Sequence, residues 1–255
     1  MMTGLFPRGK TRKRMMVSSH DSERKSSSGQ LPLDFEHAPS TSREDLIVSD
    51  PLSAAINLVD LWPDWPSPIV IMAGPTGAGK THLANIWRER SGASLVSVKA
   101  PGEAALAHAA SGPVLLEDID RTGFDETLLF HLINTVREHG TAMMITTRIW
   151  PAAWPVHLPD LQSRLRAATI VEIGEPDDEL LEQVIEKLFA DRQVIVDPKV
   201  VAYLVQRMER SLDAAQTIVC RMDQLALARR GKINRILAAE VLAELESGSP
   251  DTEPT

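Results

Sequence analysis

The run Gly74-Pro75-Thr76-Gly77-Ala78-Gly79-Lys80-Thr81 fits the pattern G-x-x-x-x-G-K-[ST], and its residue types suit the binding of phosphate groups. Glycines let successive backbone N–H groups close around phosphate oxygens, Lys80 brings a point charge to the β- and γ-phosphates, and Thr81 offers its hydroxyl to Mg²⁺. The apolar run Ile69 to Ala73 stands directly before this loop and a helical pattern begins at His82. The phosphates would therefore also meet a helix N-terminus and its favourable dipole. A nucleotide with Mg²⁺ is the expected ligand.

A second chemical element follows in Val114-Leu115-Leu116-Glu117-Asp118-Ile119-Asp120. A P-loop protein needs an acid at the end of a neighbouring buried strand. The first acid lies on the metal side and the second orients or deprotonates the attacking water. That order assigns Mg²⁺ to Thr81 and Glu117, and the water to Asp118. Aspartate is the usual first acid. The longer Glu117 alters the metal geometry, so slow turnover of the chain's own nucleotide is expected.

The elements that must hold these groups are legible as short apolar runs between helical patterns: Ile69 to Ala73, Ser94 to Val98, Val114 to Leu116, Met143 to Thr146 and Thr169 to Ile173. Runs of this length, apolar on both faces, read as buried parallel strands. Residues 43–174 are thus expected to form an α/β three-layer αβα domain. After Glu175-Pro176 the pattern is helical, near Asp178 to Arg192, Pro198 to Arg207, Leu212 to Arg229 and Asn234 to Glu246, with Gly231 as a stop between the last two. This predicts a small all-α lid over residues 175–247 and a polar tail over 248–255.

Of the 255 residues, 43% are hydrophobic and 24% charged, enough for one large or two small cores. No apolar run approaches the roughly 20 residues of a membrane span, and no apolar segment follows the N-terminal charges as in a signal peptide; a cytoplasmic protein is expected. The lone Cys220 excludes an internal disulfide, and the seven histidines form no pair at metal-ligand spacing. The net charge of −8 divides unevenly: residues 1–29 carry seven Lys or Arg against two acids, which leaves −13 on the remainder. An acidic body argues against backbone-driven DNA binding. Residues 1–29 read as a disordered basic tail. Between that tail and a polar linker ending at Ser42 lies the isolated apolar island Gln30-Leu31-Pro32-Leu33-Asp34-Phe35. Too short to build a core, it reads as a docking peptide.

Over residues 43–246 the sequence resembles AAA+ proteins of the DnaA-related clade. Gly79-Lys80-Thr81-His82-Leu83 is similar to the initiators' G-K-T-H-L, and Leu129-Phe130-His131-Leu132-Ile133-Asn134 to their aromatic, Asn-bearing helix before the next strand. Leu158 to Leu165 resembles the segment that carries the arginine finger, and Arg210-Ser211-Leu212-Asp213-Ala214-Ala215 the R-E-L-E-G-A motif of the lid. The resemblance implies that the nucleotide is ADP or ATP, that His82 joins residues 74–81 in holding it, and that Arg210 reaches from the lid to the phosphates. It implies that Arg164 acts in trans on a nucleotide held by another subunit. It also implies that Thr146 or Thr147 senses the γ-phosphate or positions water. Soon after these threonines, where the initiators carry an acid, stands Arg148.

The initiators continue into a helix-turn-helix domain, whereas this sequence ends at Thr255, so action through other proteins without direct sequence-specific DNA binding is expected. Gln30 to Phe35 resembles the Q-L-x-L-x-F peptides that bind the bacterial sliding clamp (the DNA polymerase III β subunit). Leu33 and Phe35 suit an apolar pocket and Gln30 its polar rim, with Leu31 between them and Pro32 limiting the disorder lost on binding. Together these features resemble the Hda class of regulatory inactivators of DnaA, above all its alphaproteobacterial type, HdaA. The resemblance implies a negative regulator of replication initiation that docks on the DNA-loaded clamp, pairs with DnaA, and stimulates hydrolysis of DnaA-bound ATP. It also leaves room for a homo-oligomer. A self-standing ATPase, such as a helicase loader, and a nucleotide-gated adaptor are the alternatives.

Overall fold

The computed structural model describes Ile47, residues 50–99 and residues 102–248. The peptide Gln30 to Phe35, the basic tail before it and residues 249–255 lie outside the described residues. Five apolar runs form strands: β1 (Ile69–Ala73), β2 (Ser94–Leu95), β3 (Val114–Leu116), β4 (Met143–Thr147) and β5 (Thr169–Glu172). They pair in parallel in the order β2-β3-β4-β1-β5. Parallel neighbours need crossovers. After α1 (Asp50–Asp60), these are α2 (Lys80–Ser91), α3 (Glu103–Ser111), the short α4 (Ile119–Thr122) with α5 (Glu126–His139), and α6 (Pro159–Arg166).

Strand alternation divides the apolar side chains between two faces. Val70, Met72, Leu115 and Met144 pack with α1 and α2, while Ile71, Val114, Leu116 and Ile145 pack with α3, α5 and α6. Both faces are covered, which is why the central strands read as continuous apolar runs. The edges depart from that reading. Strand β2 is only two residues long and Leu95 is exposed, and β5 ends in the exposed Glu172. An edge strand has only one neighbour to pair with.

From Asp178 onward the described chain is helical: α7 (Asp178–Asp191), α8 (Pro198–Val205), α9 (Leu212–Arg229) and α10 (Arg235–Gly248). Asp177, Asp197 and Ser211 cap the first three by accepting from the backbone N–H of Leu180, Lys199 and Ala214. Leu181, Phe189, Leu204, Val219 and Val241 centre a separate apolar core. Helix α9 ends one residue earlier than a glycine stop requires. Arg230 takes the left-handed position at φ +48°, and the Gly231 N–H bonds the Ala226 carbonyl. Here the closing hydrogen bonds, and not the glycine, set the stop.

Candidate functional site

The phosphate-type loop leaves the C-terminal end of β1 beside the end of β4. Ala73 pairs with Thr147, and the Gly74 N–H donates to the Thr147 carbonyl at 3.1 Å. Gly77 and Gly79 both lie in left-handed backbone, at φ +71° and +92°. Gly79 stands at the N-cap of α2 with no side-chain cap, so the first-turn N–H groups are left for an anion. Lys80 enters the first turn of α2, two residues before the expected helix start, because its backbone already continues the turn. Its ammonium is buried and donates to the Gly74 carbonyl at 2.8 Å and the Pro75 carbonyl at 2.7 Å. Burial pushes the lysine below its usual range, against the opposing pull of Asp118, Asp120 and Asp213. Thr76 and Thr81 are exposed at the loop surface, Ala78 is buried and His82 half-buried.

The helical segment closes on this loop. The Leu212 N–H donates to the Gly77 carbonyl at 2.8 Å, and a Cβ on Gly77 would collide with the Ser211 hydroxyl. Asp213, one residue on, acts on Lys80. Arg210, just before this contact, is bonded to Asp178 at 2.7 Å in an exposed ion pair.

On the far side of the loop, β3 delivers the two acids. Asp118 holds a left-handed backbone at φ +46°, unusual for a residue with a side chain, and its N–H donates to the Thr146 hydroxyl at 2.9 Å. The buried Thr146 therefore fixes the turn that carries Asp118, while the Thr147 hydroxyl donates to the Ile149 carbonyl. Glu117 is half-buried with one carboxylate oxygen buried and unpartnered. Burial raises its pKa, the Asp118 charge adds to this, and Arg88 opposes it. An unpartnered carboxylate oxygen and the Thr81 hydroxyl are hard oxygen donors of the kind Mg²⁺ takes along with nucleotide phosphates. Among the described residues no three His, Cys, Asp or Glu side chains cluster as metal ligands.

Sequence reasoning missed one pair. Asp120 accepts from the Arg148 backbone N–H and from its guanidinium, both at 3.1 Å. Burial works against the ionised carboxylate, yet the two Arg148 bonds outweigh it and hold Asp120 below the usual range. The signal was present: Asp120 closes the run Glu117-Asp118-Ile119-Asp120, and Arg148 stands where a resembling initiator has an acid.

Arg164 lies at the other end of the sheet. In the last turn of α6, half-buried, it lines a cleft of about 200 Å³ with Ser67, Ile69 and Arg137 at the N-terminal end of β1. The five residues of β1 separate this cleft from the loop by about 13 Å at 3.3 Å per residue. Arg164 and Lys80 thus stand at opposite ends of one domain.

No family model matches the sequence. The chromosomal replication initiator protein DnaA of Sphingopyxis alaskensis is 29% identical over 136 residues, 51% of this chain and 30% of that protein. The chain therefore spans less than a third of the relative's length. Domain III of the Thermotoga maritima replication initiation protein DnaA superposes with a TM-score of 0.67 at 17% identity, covering 81% of this chain and 97% of that one. A replication initiator DnaA bound to AMPPCP and single-stranded DNA gives a TM-score of 0.60 at 19% identity, covering 76% and 68%. Among the described residues no helix is long and apolar enough to cross a membrane. The fold is the α/β fold of AAA+ domains, and the sequence is similar to that of DnaA.

Proposed function

We propose that this chain is a nucleotide-binding AAA+ regulator of replication initiation of the Hda type, which docks on the sliding clamp and stimulates hydrolysis of ATP held by DnaA. The observation that supports the reading is the separation of two basic residues, Lys80 at one end of β1 and Arg164 at the other. One domain cannot bring both to a single nucleotide. In the proposed arrangement residues 74–82, with Arg210 from the helical lid, hold the chain's own ADP or ATP. Thr81 and Glu117 hold its Mg²⁺, which shields phosphate charge when bound. Asp118, on the turn fixed by Thr146, faces the water position. Arg164 stabilises the charge that develops on the γ-phosphate of the neighbouring DnaA. Gln30, Leu31, Leu33 and Phe35 supply the clamp contact, and residues 43–174 and 175–247 act as nucleotide domain and lid. The acid pair Glu117-Asp118, with Asp118 acting on Lys80, favours one second reading, a self-standing ATPase. The test follows labelled ATP bound to DnaA in the presence of this chain, clamp and DNA, omitting one component at a time. The proposal expects rapid hydrolysis only with all present. Hydrolysis of free ATP that ignores DnaA and clamp would move the assignment to the ATPase.

A further inference from the structure

The acidic body contains one stretch of opposite sign. From Gln224 to Ala239 the sequence holds Arg229, Arg230, Lys232 and Arg235 and no acid; removing its +4 from the −13 that follows the N-terminal tail leaves −17 on the rest. The structure places this stretch at a corner of the helical lid, where α9 ends and α10 begins, with all four cations exposed. Arg207, just after α8, adds a fifth. Arg207 and Arg235 both lie over the Tyr203 ring, their guanidinium carbons 4.2 Å and 4.5 Å from its centroid. One ring therefore holds two like charges within about 9 Å of each other. Among the described residues Arg229 is the one member of the five bonded to a carboxylate, that of Glu240. Helix chemistry accounts for Arg229, since a cation suits the C-terminal end of α9. It does not account for Arg235, which opens α10 at the end where the dipole disfavours positive charge and where no first-turn acid offsets it. Nor does it account for Arg230, which takes the left-handed backbone at φ +48° although a glycine, free to adopt that region, is the next residue. Two basic positions thus run against local preference, as residues held for a ligand do.

We infer that this corner of the lid binds the phosphodiester backbone of a nucleic acid through Arg207, Arg230, Lys232 and Arg235, without reading base sequence. Backbone contact requires clustered cations and no base edge. The Tyr203 ring also holds two guanidinium planes in place, so less side-chain freedom is lost when they meet neighbouring phosphates of one strand. Leu227 and Ile236, 69% and 79% exposed at the same corner, would suit an anionic lipid surface as well. Lipid headgroups are fluid, however, and meeting them requires no fixed pair of guanidiniums, so the geometry favours the polymer. The acidic body repels DNA elsewhere and confines contact to this corner. The nucleic-acid class rests on the corner itself. That the strand is the duplex threaded through the clamp rests on the regulator reading above.

Two arms test this with the full chain. In the first, binding to a labelled short DNA duplex is followed by fluorescence anisotropy over a series of salt concentrations. Wild type is compared with Arg230→Gln/Lys232→Gln, with Arg207→Gln/Arg235→Gln and, as a control for the basic N-terminal tail, with Arg12→Gln/Lys13→Gln. Wild type should bind at low salt, with log K falling against log salt at a slope of about −3 to −4 for four phosphates. Each corner variant should weaken binding about tenfold or more and reduce that slope by about 2, and the tail variant should lose less. Arg230→Gly, its left-handed backbone relieved, should melt no lower than wild type and yet bind the duplex more weakly, which a purely structural role would not produce. No binding by wild type, corner variants that bind like wild type, or a larger loss in the tail variant overturns the inference. Corner variants that lose binding to phosphatidylglycerol vesicles and keep binding to DNA assign the corner to lipid instead. In the second arm, the same variants are titrated into DnaA loaded with labelled ATP, clamp and DNA. The corner variants should need about tenfold more protein for half-maximal stimulation and reach the same saturated rate. If wild type stimulates and the corner variants match it throughout, the clamp's duplex is not the strand bound and that assignment fails. If wild type does not stimulate, the regulator reading fails, and the DNA titration alone upholds or overturns the corner.

Discussion

Gly77→Ala tests the contact by which the helical segment closes on the phosphate loop. Alanine at φ +71° is strained by roughly 1–2 kcal/mol. Its Cβ would also fall on the Ser211 hydroxyl, 2.7 Å from the Ser211 Cβ and 3.3 Å from its Cα. Because the obstruction includes backbone, no side-chain rotation relieves it, and the start of α9 must move away. That motion loses the hydrogen bond from the Leu212 N–H to the Gly77 carbonyl, about 1 kcal/mol. It also loosens the Ser211 cap on Ala214, about another 1 kcal/mol. The total is about 3–4 kcal/mol, or a fall in Tm of about 6–16 °C for a body of this size. Gly92 provides the control: its φ is +70° and nothing lies within 4 Å of a Cβ built there, so Gly92→Ala carries the strain alone. The assay is thermal unfolding followed by circular dichroism on both variants and on Gly77→Ala/Ser211→Gly. The double variant should be more stable than Gly77→Ala, since removing the Ser211 side chain clears most of the collision. A Gly77→Ala protein that melts no lower than Gly92→Ala would refute the reasoning.

Lys80→Ala should abolish measurable ADP and ATP binding by calorimetry, since the loop N–H groups alone do not replace a charge at the β-phosphate; near-normal ADP affinity in the folded variant would contradict it. Asp120→Asn should cost about 1 kcal/mol at pH 7 in chemical denaturation, because it breaks the pairing with Arg148. The folded pKa of Asp120 is depressed, so its contribution is complete above the ordinary aspartate value and fades as pH falls through the folded one. The gap between wild type and Asp120→Asn should therefore narrow below about pH 4 and stay constant above about pH 5. Leu33→Ala/Phe35→Ala should remove clamp binding by surface plasmon resonance and leave nucleotide binding unchanged. Each buried apolar side chain contributes roughly 1.5–3 kcal/mol, enough together to push a micromolar contact out of range.

The central strands and the loop were legible because their signals are local. A run such as Ile69 to Ala73 followed by Gly74 to Thr81 specifies strand, turn and helix without reference to the rest of the chain. Likewise Leu212 to Arg229 reads as a helix, and the structure agrees. The edges were less legible, since Ser94 to Val98 carries strand composition but has one neighbour, and only two residues pair. What the sequence could not show are contacts between distant segments. The Asp120–Arg148 pair joins residues 28 apart, and the Gly77 contact with Ser211 and Leu212 joins the loop to a helix far along the chain. Charge type was readable at each position, and the partner was not.

The central claim is that Arg164 completes a site on another molecule, and one measurement bears on it most directly. Purified DnaA loaded with labelled ATP is mixed with clamp, DNA and either wild type, Arg164→Ala or Arg166→Ala, and the conversion to ADP is timed. Arg166 is exposed on the same helix and carries the same charge, so it controls for net charge and for the helix itself. An arginine supplied in trans is worth about 10³–10⁵ in rate. The account predicts that Arg164→Ala loses the stimulation by such a factor while Arg166→Ala keeps most of it. Stimulation by Arg164→Ala equal to wild type would contradict it.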